Sequence, residues 1–364
     1  MNKRQPDFVL VLCVVLLLVV GALMVYSASA AWGSFIFEDS WYFAKRQALF
    51  AGLGLTVMAI TTHIDYRIWK RWSLSFLLIC FVLLILVLIP GVGLVRGGAQ
   101  SWLGVGAFSI QPSEFMKLSL IIFLAAVLAE RPEQLTSFKT GMLPLLLLIG
   151  AAFGLIMLQP DLGTGAVMVL TCMVLLFVAG GRYKHFFWLG MLGVSMFAAL
   201  VAAAPYRLQR LTSFLDPWSD ALGSGFQIIQ SLYAIGPGGL MGLGFGESRQ
   251  KYFYLPEPQT DFIFAILAEE TGFIGGSLVI LLFTAFMWRG IRIAMLAPDG
   301  FGTFLAVGIV GMLLIQVLIN IGVVTGMFPV TGITLPFLSY GGSSLTLMLA
   351  AVGLLLSISR YIEA

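Results

Sequence analysis

The chain has 364 residues, 60% hydrophobic and only 10% charged, with a formal net charge of +3. Soluble domains carry roughly 25% charged residues, so a globule solvated on all sides is excluded, and a mean hydropathy of +1.01 points instead to a polytopic membrane protein. The small, dispersed positive charge also excludes a nucleic-acid binder, which concentrates Lys and Arg on one face.

In chain order, apolar runs fall near 8–26, 44–61, 74–90, 114–129, 143–159, 165–180, 186–204, 262–287, 303–325 and 344–359. Runs of this length suit helices crossing a hydrocarbon core of about 30 Å. They predict an all-α fold of ten transmembrane helices in one membrane domain over 1–364. A β-barrel is excluded because the runs are too long and do not alternate. The first run, about 19 residues after MNKRQPDF, resembles a signal peptide, but YSASAAWG leads on into further spans, so a retained signal anchor is expected.

Ten spans place both termini on one side. The loops and termini of that side hold 12 of the 20 Lys and Arg residues but 6 of the 17 Asp and Glu. By the positive-inside rule that side is the cytoplasm. The long connection between the seventh and eighth spans, roughly 205–261, is then extracytoplasmic. A connection this long is usually functional or disordered. Its stretch SGFQIIQSLYAIGPGGLMGLGFG is apolar, with Ile228, Ile229, Leu232 and Tyr233 at helical spacing, and predicts a short helix at the outer leaflet. A second outer segment, GVGLVRGGAQSWLGVGAFSIQPSEF, is similarly Gly-rich. Cys13, Cys80 and Cys172 lie inside apolar runs with no C-x-x-C pair and read as small buried hydrophobes.

Ionisable residues within spans are costly and mark candidate functional sites. Glu114 and Lys117 sit three apart on one helix face. They form either a structural ion pair or a cation presented to an anionic head group. Lys45 and Arg46 open the second span on the outer side, against the inside bias, where they either snorkel to lipid phosphate or hold an anion. Asp161, in QPDLGTG, is either a helix cap or a site residue. Asp261 follows the stiff Pro256-Glu257-Pro258 turn and should mark a helix start. It is either a carboxylate favoured by the helix dipole or a base at the mouth of an outward cavity. Glu269 lies about 12 Å further along the helix, about 80° around its axis, with Glu270 on the opposite side. One of the two can face the same cavity, and the other is expected to pair with a neighbouring helix.

No G-x-x-x-x-G-K-[ST], H-E-x-x-H, G-x-S-x-G or Asp-x-Asp motif is present. The glycines of GLGFG follow no strand and make no dinucleotide fingerprint. ATP is not available outside the cell, so chemistry at that face needs a substrate that carries its own activation.

The stretch NIGVVTGMFPVTGITLPFLSYGGSS, residues 320–344, resembles the signature of the SEDS (RodA/FtsW/SpoVE) family of bacterial shape, elongation, division and sporulation proteins. AFSIQPSEFMKL, QPDLGTG, GSGFQIIQSLYAIGPGGL and LPEPQTDFIFAILAEE are similar to further family blocks, in family order. Within the family the likeness is greatest to the sporulation branch, then to the division branch. The resemblance implies a peptidoglycan glycosyltransferase that polymerises lipid II, a disaccharide-peptide on undecaprenyl diphosphate, at the outer membrane face. It implies a class B penicillin-binding protein transpeptidase as partner. The family's essential aspartate maps onto Asp261, and its fourth-span Glu and Lys map onto Glu114 and Lys117.

The implied chemistry has its own demands. A sugar hydroxyl must attack the anomeric carbon of a diphosphate donor, with inversion. Glycosidases need two carboxylates because an alkoxide leaving group must be protonated. Diphosphate leaves unprotonated but gathers negative charge, so one base and clustered cations suffice. Asp261 is the expected base. Substrate contacts are expected from Lys117, Glu114, Lys45, Arg46, Arg207, Arg210 and Glu269, with Arg96, Arg249 and Lys251 as further outer cations. A divalent cation, Mg or Mn, would help neutralise the diphosphate, although no ligand cluster is visible in the sequence. Two other readings suit ten helices with buried charges: a flippase for the lipid-linked precursor, and a non-catalytic scaffold for a transpeptidase.

Overall fold

The computed structural model describes residues 5–96, 99–105, 108–130, 135, 137–202 and 205–362. The chain is helical almost throughout: α1 Phe8–Phe37, α2 Tyr42–His63, α3 Arg67–Val87, α4 Pro112–Glu130, α5 Leu143–Met157, α6 Leu162–Val178, α7 Tyr183–Ala202, α8 Pro205–Leu215, α9 Phe226–Gly238, α10 Ile263–Leu296, α11 Gly300–Val324 and α12 Gly342–Ser359. Each of the ten apolar runs falls on one of α1–α7 or α10–α12. Among the described residues seven helices are long and apolar enough to cross a membrane: α1, α3, α4, the stretch 138–157 that includes α5, α10, α11 and α12. Helix α6 is apolar but shorter, at 17 residues.

Helices α4, α11 and α12 are the most enclosed of these seven and form the centre of the bundle. Around them α12 lies along α2, α4 along α3, and α11 along α4, α6 and α10. The contact of α12 with α2 is close because Gly353 has no side chain. A Cβ there would stand 2.6 Å from the Met58 carbonyl oxygen. The small residues of the last span thus serve packing within the chain. Cys13, Cys80 and Cys172 are buried and free, as their apolar surroundings predict.

Three features depart from the sequence expectations. The Gly-rich segment after α3 forms a small antiparallel sheet, β1 Leu94–Arg96, β2 Ala99–Val105 and β3 Phe108–Ile110, in the order β1-β2-β3. Trp102 faces Leu94, Leu103 faces Ile110, and Gln100 ties the sheet to the end of α3 by donating to the Val87 carbonyl at 3.0 Å. Helix α1 runs on past residue 26 to Phe37, since nothing in YSASAAWGSFIF breaks it. The third concerns α10.

Helix α10 is interrupted at Gly272 (φ 65°, ψ −163°). The break is closed by the loop after α9. Leu243 and Gly244 donate their N–H groups to the Glu269 and Glu270 carbonyls at 2.9 and 3.1 Å, and Phe273 and Ile274 donate to the Gly239 and Leu240 carbonyls at 2.8 and 3.2 Å. Backbone groups freed by a broken helix need such partners. The single span expected over 262–287 is therefore a short helix, 263–271, followed after the break by a long one, 273–296. The helix expected from Ile228, Ile229, Leu232 and Tyr233 is present as α9.

Candidate functional site

A cavity of about 540 Å³ gathers polar residues from several helices of the bundle. Helix α4 supplies Glu114 and Lys117, the start of α6 supplies Asp161 and Thr164, and α2 supplies Arg46. The segment entering α10 supplies Glu257, Thr260 and Asp261, while α11 supplies Gln316. The sheet and the 330–344 region close the remaining walls.

Asp261 lies two residues before α10, next to the N-cap position Phe262, close to the predicted helix start. Thr260 donates its hydroxyl to Asp261 Oδ1 at 2.9 Å. The turn before it is tight. Glu257 takes a left-handed conformation (φ 45°) between two prolines, and its carbonyl accepts from the Thr260 N–H at 3.1 Å and lies 2.8 Å from the Thr260 hydroxyl oxygen, whose single proton it shares with Asp261. A non-glycine residue in that region costs of order 1–3 kcal/mol, held only where surrounding contacts over-determine it.

Glu114 and Lys117 form an ion pair at 2.7 Å, with both side chains at least nine-tenths buried. Ser344 donates to the second Glu114 oxygen at 3.0 Å. Asp161 has contacts on two sides. It caps α6 by accepting from the Thr164 N–H at 3.1 Å, and it faces the cavity, where Gln111 donates to it at 2.8 Å. Arg46 lies with its guanidinium carbon 4.8 Å from the Tyr42 ring centre, a cation–π contact that orients it at the cavity wall.

Other expected site residues stand elsewhere. Lys45 is a surface cation, 66% exposed and paired with Asp39 at 2.7 Å, and it does not line the cavity. Its position at the first turn of α2 turns it outward while Arg46 turns in. Glu269 does not line the cavity either. It accepts from the Ser248 hydroxyl at 2.5 Å and the Arg249 N–H at 2.9 Å. Glu270 accepts from Ser27 at 2.5 Å and pairs with buried Lys251 at 3.1 Å. Both carboxylates thus fasten the loop after α9 to the short helix, because that loop packs over the end of the helix where they stand, while Asp261 lies ahead of its first turn. The side chains of Arg96, Arg207 and Arg210 lie outside the described residues. No group of three His, Cys, Asp or Glu side chains gathers to hold a metal ion among the described residues.

Two residues that sequence reasoning missed face the cavity with unused polar atoms. Gln316 Oε1 and Ser343 Oγ are buried and have no hydrogen-bond partner among the described residues. Buried polar atoms are normally paired, so each such exception calls for an explanation. An amide within the apolar run 303–325 was the available signal for Gln316.

The cell cycle protein family FtsW/RodA/SpoVE matches residues 8–364. The chain is 64% identical over 360 residues to stage V sporulation protein E of Bacillus subtilis (strain 168), covering 99% of this chain and 98% of that one. It is 42% identical over 353 residues to a probable peptidoglycan glycosyltransferase FtsW of Geobacter sp. (strain M18), covering 97% and 96%. Among solved structures it is similar to a chain of "Structural coordination of polymerization and crosslinking by a peptidoglycan synthase complex", with a TM-score of 0.80, 34% identity and 98% of each chain covered. It is also similar to the rod shape determining protein RodA of Thermus thermophilus, with a TM-score of 0.72, 31% identity and 98% of each chain covered. With a helical bundle, a buried acid–base cavity and relatives matched over nearly their whole length, the chain belongs to the FtsW/RodA/SpoVE (SEDS) family.

Proposed function

We propose that this protein is an inverting peptidoglycan glycosyltransferase that polymerises lipid II, with Asp261 as the general base. The observation that carries the reading is the meeting of Asp261, Arg46 and the Glu114–Lys117 pair on one cavity. The names of the relatives, which include peptidoglycan glycosyltransferases and a sporulation protein, agree with it.

In the proposed step the acceptor hydroxyl loses its proton to an Asp261 carboxylate oxygen. Its oxygen bonds to the anomeric carbon of the donor sugar, and the bond from that carbon to the lipid diphosphate breaks on the opposite face. The diphosphate leaves with the bonding electrons, so negative charge grows at the leaving oxygen. Arg46 and Lys117 are the cations placed to stabilise it. Glu114 lies 2.7 Å from the Lys117 ammonium, which can donate three hydrogen bonds, so the pair leaves capacity for a phosphate oxygen. Glu114 is a holder of Lys117 rather than a second base.

The membrane arrangement that suits this chemistry has ten of the helices spanning, both termini in the cytoplasm and the cavity reached from the outer face by a prenyl-bound sugar. A class B penicillin-binding protein transpeptidase is the expected partner, in keeping with the likeness to a peptidoglycan synthase complex. Purified protein in liposomes with labelled lipid II tests the reading directly. Polymer is the expected product. Translocation without polymer would replace the reading by a flippase, and neither product would leave a scaffold.

A further inference from the structure

Three successive backbone carbonyls lead into the α10 helix, and each is held by a donor from the same distant part of the chain. The Tyr340 N–H donates to the Gln259 carbonyl at 2.8 Å. The Ser339 hydroxyl donates to the Thr260 carbonyl at 2.5 Å. The Asn320 side-chain amide donates to the Asp261 carbonyl at 2.7 Å. We infer that Asn320 and Ser339, with the Tyr340 amide, are a three-point clamp whose function is to position Asp261 for proton transfer. The inference rests on the reading of Asp261 as the base and adds positioning residues to it.

Local structure explains why a clamp is needed. Helical bonding begins one residue later, where the Phe262 carbonyl accepts from the Ala265 N–H at 2.9 Å. The carbonyls of residues 259–261 therefore gain nothing from α10 and need other partners. Water would satisfy them equally well if the only requirement were pairing. Here the partners are instead buried side chains, Asn320 at 1% exposure and Ser339 at 4%.

The donors are themselves fixed. The Asn320 amide nitrogen also donates to the Ile333 carbonyl at 2.7 Å. The Ser339 oxygen accepts from the Leu335 N–H at 2.8 Å, and the Ser339 carbonyl accepts from Gln47 on α2 at 3.2 Å. The clamp thus ties the Asp261 backbone to α11, to the 333–340 segment and, through Gln47, to α2, which also carries Arg46 into the cavity. Base and cation share one rigid frame. A displacement of about 1 Å at a reacting group costs up to about 100-fold in rate, so a frame of this kind acts on turnover rather than on binding.

The test uses full-length protein in liposomes, measuring lipid II polymerisation together with thermal stability. Ser339→Ala is expected to lower kcat about 10- to 100-fold with KM within about twofold of wild type and Tm little changed. Ser339→Thr, which keeps a hydroxyl, should restore most of the turnover. Wild-type kcat in Ser339→Ala, a rise in KM in place of the kcat loss, or a kcat loss that follows a loss of Tm, would overturn the clamp alone. If Ser339→Ala does not fold, Ser339→Cys, a weaker donor of similar size, takes its place: an intermediate kcat at constant KM supports the clamp, and a wild-type kcat overturns it. Absence of polymer in the wild type would instead overturn the glycosyltransferase reading, and the clamp with it.

Discussion

Lys117 Nζ and Glu114 Oε1 meet at 2.7 Å one turn apart on α4, almost wholly shielded from solvent. Breaking a buried pair by removing one partner costs about 3–5 kcal/mol, because the survivor is left charged and unpaired, whereas replacing both by apolar groups of similar size is often neutral. Glu114→Gln alone should therefore lower thermal stability markedly. Glu114→Met combined with Lys117→Met should recover most of it. If the pair also serves the leaving diphosphate, the folded double variant still makes no polymer, a result that a purely structural pair does not produce. Recovered activity in the double variant would confine the pair to a structural role.

Asp261→Asn keeps the size of the side chain and its bond from Thr260 but removes the basic oxygen. General-base catalysis contributes about 100- to 10,000-fold. Polymerisation should fall by at least that order while Tm stays close to wild type. Turnover within a few fold of wild type in this variant would remove Asp261 from the mechanism.

Among the described residues Gln316 Oε1, buried at the cavity wall, has no hydrogen-bond partner. An unsatisfied buried polar group costs about 1–3 kcal/mol, and a same-shaped apolar replacement removes that cost. Gln316→Met should hold or raise Tm. If substrate supplies the missing donor, KM for lipid II should rise about tenfold, since 1.4 kcal/mol corresponds to that factor. An unchanged KM would show that the ligand does not reach this amide.

The positions of the helices were legible because transfer of apolar side chains from water is a local property of each run, and each run lies on a helix. Asp261, Glu114, Lys117 and Arg46 were legible for the same reason in reverse, as charges where apolar residues were expected, and they share the cavity. What escaped the sequence depends on contacts between distant segments. Gly272 reads as a tolerated glycine in an apolar run, and only the approach of Leu240 and Gly242 makes it a break. Glu269 meets Ser248 and Arg249 of the loop after α9, partners that no helical periodicity anticipates. The sheet of β1, β2 and β3 was hidden because glycines interrupt the alternation that marks a strand. Arg46 and Lys45 are adjacent, so only the rotation of α2 in the bundle separates the cavity cation from the surface one.

Gly272 also makes a strong stability prediction. Its φ of 65° and ψ of −163° fall in a region essentially reserved for glycine, where another residue costs of order 1–3 kcal/mol. A Cβ would in addition stand 2.3 Å from the Gly242 nitrogen and 2.6 Å from the Leu240 carbonyl oxygen, both backbone atoms that cannot swing aside. Gly272→Ala should lower Tm and release the loop after α9, exposing Lys251, now buried against Glu270, to trypsin. A variant with wild-type Tm and protease resistance would contradict the close backbone crossing.

Acid stability should depend on Asp299 at the start of α11. Its Oδ1 accepts from the Gly302 N–H at 2.8 Å, and its Oδ2 accepts from the Tyr66 hydroxyl at 2.6 Å and Arg67 Nε at 3.0 Å. Burial works to raise its pKa, but the hydrogen bonds from Tyr66, Gly302 and Arg67 and the Arg67 charge outweigh it and hold the carboxyl below its ordinary range. An Asp whose folded pKa lies below its unfolded value of about 3.9 stabilises the fold fully above that value, and the contribution is lost as pH falls through the folded pKa. Tm of the wild type should therefore decline below about pH 4. Asp299→Asn keeps an N-cap side chain but not the charge, so it should start from a lower Tm at neutral pH and lose less on acidification. Asp299→Ala, which also removes the cap, should cost about 1 kcal/mol more. Parallel acid limbs in wild type and Asp299→Asn would show that the Tyr66–Asp299–Arg67 junction does not govern this titration.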